Sequence, residues 1–114
     1  MREPRERLLD MLEAIERIER YAAKGRGEFE KDELIQTWVV HHLQIVGEAA
    51  AKLGSDFHEQ HASIPWPQVV AMRNVLVHDY FGVDLEEIWR VVERDLPDLK
   101  NKLKRLADQL EEKR

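Results

Sequence analysis

The sequence predicts an all-α protein, an up-and-down bundle of four to five helices in one domain spanning residues 1–114. Three observations support this fold class. Apolar residues recur at intervals of three and four over long segments, which is typical of amphipathic helices. No segment of the sequence alternates apolar and polar residues as a strand would. Glycines and prolines fall between the periodic segments, where helices begin and end.

The N-terminal half predicts two long helices that run antiparallel to each other. The first extends from Pro4 to about Lys24, and the run Gly25–Gly27 ends it because glycine tolerates the left-handed backbone that closes helices. The second extends from about Glu30 to Leu53. Their buried faces are predicted to carry the periodic apolar residues, namely Leu8, Met11, Ile15, Ile18, Val39, Leu43, Val46 and Ala50.

The C-terminal half predicts a loop followed by two or three helices. Residues 55–63 are polar and lack periodic apolar residues, which favours a loop. A third helix is expected from Trp66 or Pro67 to about His78, since proline suits a first helical turn. Asp84 is the expected N-cap of a fourth helix, and Pro97 should either kink that helix or begin a fifth.

The composition restricts the classes of function. The chain has no cysteine, which excludes disulfides, thiolate catalysis and cysteine-bound zinc and is compatible with a reducing cytoplasm. The charged N-terminal segment lacks the apolar region of a signal peptide, and no apolar stretch has the length of a membrane span. We therefore expect a soluble cytoplasmic protein. Because the net charge is -5, any contact with RNA has to use a locally basic cleft.

The candidate active site is the segment 73–80, which contains Arg73, Asn74, His78 and Tyr80. The arginine offers a forked set of donors to a phosphate, the histidine can transfer protons near neutral pH, and the asparagine can orient either partner. With RNA the 2′-hydroxyl supplies the nucleophile, so no metal or cofactor is needed. On an ideal helix Asn74 and His78 share a face, whereas Arg73 points about 140° away from His78. This favours a cleft at a helix end, completed by a second subunit.

Each of these residues also has a structural alternative. A histidine in a last helical turn interacts with the helix dipole, and Tyr80 could simply pack beside other aromatic rings. Glu48 is expected to pair with Arg73 across the bundle. His41 and His42 face about 100° apart, so they cannot bind one metal ion together and are expected to be solvated or to lie at an interface.

Several segments resemble one known family, in the same order and across nearly the whole chain. The motif Arg73-x-x-x-x-His78-x-Tyr80 is similar to the signature of the HEPN superfamily, and specifically of the HepT toxins of HepT/MntA toxin-antitoxin pairs. Gly47-Glu48-Ala49-Ala50, Ile64-Pro65-Trp66 and Leu96-Pro97-Asp98-Leu99 also look like that family's pattern.

The resemblance implies a HEPN-like homodimer that sets the motif arginine and histidine of both subunits at a shared cleft, where RNA is cut. It identifies Arg73 and His78 as catalytic and Asn74 as supporting. It further implies a type VII toxin whose partner, a minimal nucleotidyltransferase antitoxin like MntA, silences it by transferring AMP from ATP onto Tyr80. An adenylate there would compete with the RNA phosphate.

Two other functions remain open from the sequence. The same helical dimer could be catalytically inactive and bind a nucleotide or a nucleotidyltransferase partner through the motif. Alternatively it could be a purely structural dimer. The net acidity of the chain favours these two alternatives slightly.

Overall fold

A computed structural model describes residues 3–77 and 84–112, together with the backbone of His78. These residues confirm the all-α class. The helices, in order, are α1 (Pro4–Ala22), α2 (Arg26–Lys31), α3 (Glu33–Lys52), α4 (Ser55–Gln60), α5 (Trp66–His78), α6 (Leu85–Arg90) and α7 (Leu96–Glu112), with a π-helical turn (Val91–Asp95) between α6 and α7. In this described part, no helix is both long and apolar enough to cross a membrane.

The long helix α3 lies at the centre of the bundle. It packs along α1 on one side and against α5 on another, and α1 also packs against α7. Burial of each large apolar side chain contributes about 1.5–3 kcal/mol to stability. The side chains of these helices that lose all solvent contact are Leu8, Met11, Ile15 and Ile18 of α1, Val39, Leu43, Val46 and Ala50 of α3, and Leu103 of α7.

A short break at Asp32 divides what the sequence predicts as one helix beginning near Glu30. Asp32 has an extended backbone, and its Oδ1 accepts hydrogen bonds from the backbone N–H groups of Leu34, at 2.9 Å, and Ile35, at 3.4 Å. This N-cap satisfies donors that a new helix would otherwise leave unpaired. The predicted start is therefore wrong, because α2 ends at Lys31 and α3 begins at Glu33.

The predicted loop over residues 55–63 is also wrong in part, because residues 55–60 form α4. This helix has no buried residue of its own. Contacts with Trp66 at the start of α5 hold it instead, since Phe57 meets the indole edge to face and His58 stacks on it. Contacts between rings of different helices leave no periodic signal in the sequence, which is why α4 could not be predicted.

The C-terminal helices begin and bend where the sequence indicates. Asp84 is the N-cap of α6 and accepts a hydrogen bond from the Glu86 backbone N–H at 2.9 Å, which confirms the prediction. The π-helical turn ends two residues before Pro97. A proline ring clashes with the carbonyl one turn earlier in an α-helix, and the wider turn moves the carbonyls out of that register. Pro97 is thus accommodated in the first turn of α7.

One imidazole, that of His42, is buried at the edge of the core. The expectation of two solvated or interfacial histidines is wrong for His42, which is only 5% exposed, whereas His41 is exposed. The His42 ring packs on Trp38, and its Nδ1 donates a hydrogen bond to the Trp38 carbonyl at 2.7 Å. Burial, which disfavours the charged form, is the main cause that lowers the His42 pKa below its usual value.

The buried His42 should make the folded protein less stable as the pH falls below about 6.5, because the unfolded chain then takes up a proton that folded His42 resists. We expect His42→Asn, which keeps a donor but does not titrate, to reduce the slope of unfolding free energy against pH in urea titrations between pH 8 and 5.5. His41→Gln should reduce it much less, since the nearby His41 charge is a smaller cause than burial. An unchanged slope in His42→Asn would contradict this account.

Candidate active site

The helix α5 lies close to α3 where Arg73 passes Gly47. A Cβ atom built on Gly47 would lie 2.2 Å from Arg73 Cβ and 2.8 Å from Arg73 Cγ, distances at which no side chain fits. A glycine inside a helix is unfavourable by itself, so its presence at position 47 indicates a close approach of another backbone. Gly47 therefore positions Arg73, a role that the sequence analysis did not assign to it.

The Arg73 guanidinium has one acidic neighbour and one unsatisfied donor. Its Nη1 lies 3.5 Å from Glu48 Oε2, which confirms the predicted pairing. This ion pair is long and half open to solvent, so it contributes at most about 1 kcal/mol. The Arg73 Nε is buried and has no acceptor among the residues that the structure describes. A guanidinium binds phosphate oxygens well, so the exposed part of the Arg73 side chain can hold an anionic ligand.

Arg73 opens into a groove of about 580 Å³ that follows α3 between α1 and α5, which we call the central groove. One face of α3 supplies residues spaced by three and four along it, including His41, Gln44, Glu48 and Lys52. One face of α1 supplies Arg7 and Arg17 among others. The groove is open to solvent, and its lining mixes charged side chains with apolar ones such as Ile45 and Val77, so it offers both ionic and apolar contacts to a ligand.

The central groove carries a small excess of positive charge although the chain is acidic overall. Its lining includes four arginine and lysine side chains, Arg7, Arg17, Lys52 and Arg73, against three acidic ones, Asp10, Glu13 and Glu48. Glu13 is held by Arg17 at 2.9 Å, and Glu48 lies 3.6 Å from Lys52. The net excess of positive charge meets the requirement that the acidic sequence placed on any RNA contact. The sequence did not single out these basic residues because interleaved charges on a helix usually mark a solvated face.

Asn74 lies beside Arg73 in the sequence but lines a different groove. This second groove, of about 750 Å³, lies between α4 and α5 and includes Ser55, His58, Trp66 and Val70; we call it the α4–α5 groove. Successive helical residues point about 100° apart, so one straight helix directs Arg73 and Asn74 to separate surfaces. Within one protomer the described residues do not bring these two predicted site residues together.

The rest of the predicted site falls at or beyond the end of α5. The helix persists to His78, so Asn74 and His78 stand four residues apart on one continuous helix, as the spacing predicts. The side chain of His78 and all of Tyr80 lie outside the described residues. The catalytic role of His78 and the modification of Tyr80 therefore remain predictions from the sequence.

The helical bundle and the arginine–histidine motif on α5 define a HEPN-like protein. Within that class the chain belongs to the ribonuclease HepT-like family, whose model matches residues 11–106. The match includes α3, α5 and the complete motif, and so contains every residue of the central groove except the α1 residues Arg7 and Asp10.

Individual relatives support the same family. "Probable ribonuclease HepT" of Thermococcus cleftensis is 41% identical over 100 residues, which are 87% of this chain and 91% of that protein. "Putative RNase" of Caldanaerobacter subterraneus subsp. tengcongensis is 35% identical over 93% of this chain and 96% of its own length.

A third relative is a longer protein. "Gamma-glutamylcyclotransferase and putative RNase" of Methanocaldococcus jannaschii is 37% identical over 89% of this chain, which spans only 46% of that protein's length. A HepT-like unit is thus found fused to other sequence in that relative. No solved structure matches this chain.

Proposed function

We propose that this protein is a metal-independent RNA endonuclease whose central groove holds the RNA backbone. The observation that carries the proposal is Arg73, whose guanidinium lines the central groove and whose buried Nε has no acceptor among the residues that the structure describes. Membership of the ribonuclease HepT-like family supports RNA as the substrate. We assign Arg73 and His78 as catalytic and Asn74 as supporting, and we place the activity in the cytoplasm, which suits a cysteine-free chain.

The proposed reaction is an attack by the RNA on itself. A base, which we assign to His78, accepts the proton of the 2′-hydroxyl as the 2′-oxygen forms a bond to phosphorus. The bond from phosphorus to the 5′-oxygen breaks, and that oxygen takes up a proton as it leaves, so the products are a 2′,3′-cyclic phosphate and a free 5′-hydroxyl. Arg73 binds the phosphate oxygens and stabilises the negative charge that grows on them in the transition state.

A homodimer would complete this site. Arg73 and Asn74 open into different grooves of one protomer, so a second subunit is a natural source of the groups that one protomer does not bring to its own Arg73. Exposed apolar side chains on α5, Val75 at 57% and Val77 at 48%, leave that helix with surface suited to a partner. The family resemblance implies the same arrangement, with the motif of both subunits at one cleft.

We also propose regulation by a minimal nucleotidyltransferase antitoxin that attaches AMP to Tyr80, so that the pair forms a toxin-antitoxin module. Tyr80 follows Arg73 by seven residues in the sequence. An adenylate attached there would carry a negative charge towards the cationic groove that RNA has to enter. The modification would therefore silence cleavage by competing with the substrate phosphate.

The endonuclease proposal is tested by incubating purified protein with labelled RNA in the presence of a chelator. We expect cleavage by the unmodified protein, with 2′,3′-cyclic phosphate ends, and at least a ~100-fold slower reaction in His78→Ala, since a general acid–base group contributes about 10²–10⁴-fold. Equal cleavage by His78→Ala would refute the assignment. RNA or nucleotide binding without any cleavage would favour the inactive helical dimer instead.

Modification is tested separately by intact mass. Co-expression with a nucleotidyltransferase of the MntA type should add the mass of one or more adenylate groups, and Tyr80→Phe should remove that addition. Tyr21→Phe is the matched control, because it is the chain's other tyrosine and should leave the adenylate in place. An adenylate that persists in Tyr80→Phe would exclude Tyr80 as the acceptor.

A further inference from the structure

The α4–α5 groove contains a rigid pair of stacked rings for which the proposed cleavage reaction has no use. The His58 imidazole lies parallel to the Trp66 indole, with 4.7 Å between ring centroids and 9° between planes. Both rings are held by their polar atoms: His58 Nε2 donates to the Ala50 carbonyl at 2.7 Å, and Trp66 Nε1 donates to the His61 carbonyl at 2.9 Å. The orientation of the imidazole is therefore fixed before any ligand binds.

Only the histidine of this pair is accessible from the groove to any extent. Trp66 is 1% exposed and covers one face of the imidazole, whereas His58 is half-buried and lines the groove. The second face of the ring is then the surface that His58 can offer to a ligand. A flat, preoriented imidazole is a surface on which nucleobases stack in RNA-binding proteins.

The other wall of the groove carries a matching polar group. Asn74 is exposed on α5 and lines the same groove as His58. Its amide has both a donor and an acceptor, which can pair with the edge of a base that has one of each. The rest of the lining includes apolar groups such as Val70 and Pro67 and the polar side chains of Ser55 and Glu59, so the groove combines a stacking surface with a few polar contacts. That combination is typical of a site for a planar heterocycle.

From these observations we propose that the α4–α5 groove binds a nucleobase, stacked on His58 and hydrogen-bonded to Asn74. The proposal rests on the proposed function in one respect, which is that the base belongs to the RNA being cut. Arg73 and Asn74 are neighbours on α5 and open into its two flanking grooves. A strand whose phosphate lies on Arg73 has only to cross α5 to place a flanking base against Asn74. The groove would thus give the nuclease a preference for sequence next to the cut.

The test is an abasic scan by fluorescence anisotropy. Labelled ribo-oligonucleotides, each lacking one base, are bound to protein carrying His78→Ala so that the RNA stays intact. We expect one abasic position to weaken binding roughly ten-fold, as the loss of one stacked base does. Adding His58→Ala should weaken binding of the intact oligonucleotide by a similar factor but should cost nothing further with that abasic oligonucleotide. Asn74→Ala should show the same coupling at the same position.

Two variants separate stacking from support of the fold. His58→Phe keeps a flat ring but loses the bond to Ala50, so it should bind the intact oligonucleotide much better than His58→Ala. His61→Ala is the matched control, because His61 packs on Phe57 and is not part of the groove lining. It should bind every oligonucleotide as the parent does. The proposal would be overturned if the losses of affinity from His58→Ala and from removal of a base were additive at every position. Equal binding by all the variants would also overturn it.

A second set of measurements separates two questions, which are whether the base site exists and whether the base that it binds belongs to RNA. If RNA is bound and cut but no position couples to His58, the proposed nuclease function survives and the base site does not. If no RNA is bound, free AMP and GMP are titrated instead. Binding that His58→Ala weakens would then show a nucleobase site without a nuclease, and binding of neither nucleotide would overturn the site as well.

Discussion

Replacement of Arg73 with lysine is expected to slow RNA cleavage by about 100-fold or more without unfolding the helical bundle. Lysine keeps the positive charge and the aliphatic part that packs on Gly47. It lacks the planar set of donors that binds two phosphate oxygens at once. Loss of one donor to a developing negative charge typically costs 10²–10³ in rate, which sets the expected size of the effect. The measurement is kcat/KM on a labelled RNA, with circular dichroism as a check of folding.

Arg90→Lys is the matched control for this prediction. Arg90 is an exposed arginine on α6 that pairs with Glu87 and is not part of the central groove. The same change of chemistry there should leave cleavage within about two-fold of the unmodified protein, because surface ion pairs contribute little. If Arg73→Lys were as active as Arg90→Lys, a bidentate contact between Arg73 and the RNA phosphate would be excluded. The proposal that Arg73 is a catalytic residue would then lose its main support.

The second large effect is expected from Gly47→Ala, which should destabilise the protein by roughly 1–3 kcal/mol. The added Cβ would occupy the space of the Arg73 Cβ and Cγ, so α3 and α5 have to separate. This loss would appear even though alanine is favoured over glycine inside a helix by about 1 kcal/mol. We expect a lower midpoint in urea unfolding, together with weaker cleavage because Arg73 is displaced.

Gly27→Ala provides the comparison, since Gly27 lies in α2 and a Cβ there meets nothing within 4 Å. That variant should be as stable as the unmodified protein or up to about 1 kcal/mol more stable. The difference in unfolding free energy between the two alanine variants therefore measures the contact between α3 and α5, because both variants make the same change from glycine to alanine within a helix. Equal stability of the two variants would show that α5 can move away from α3 freely.

Several features of this fold and site could be predicted because they depend only on nearby residues. A period of three and four residues identifies α1, α3 and α5, and the N-cap at Asp84 depends on a side chain two residues from its partner. The pairing of Glu48 with Arg73, which joins two helices, was also predicted and is confirmed. The motif from Arg73 to His78 stood out because its residue types suit phosphate chemistry and, above all, because it resembles the HEPN signature.

Other features depend on contacts between different helices. The helix α4 is held by packing on Trp66 of α5, and His58 of α4 also donates to the Ala50 carbonyl of α3. A periodic pattern gives no information about such contacts. The basic residues of the central groove come from three separate helices, so their shared surface is visible only after the helices pack.

The sequence by itself therefore determined the helical class, most helix boundaries and the identity of Arg73 and its neighbours as candidate site residues. Only the tertiary structure decided which groove each of those side chains lines. The close passage of α5 over Gly47 places Arg73 in the central groove beside α3, and the rotation of about 100° between successive helical residues turns Asn74 into the α4–α5 groove. Helical spacing defines faces of one helix, whereas the packing of neighbouring helices decides which cleft each face meets.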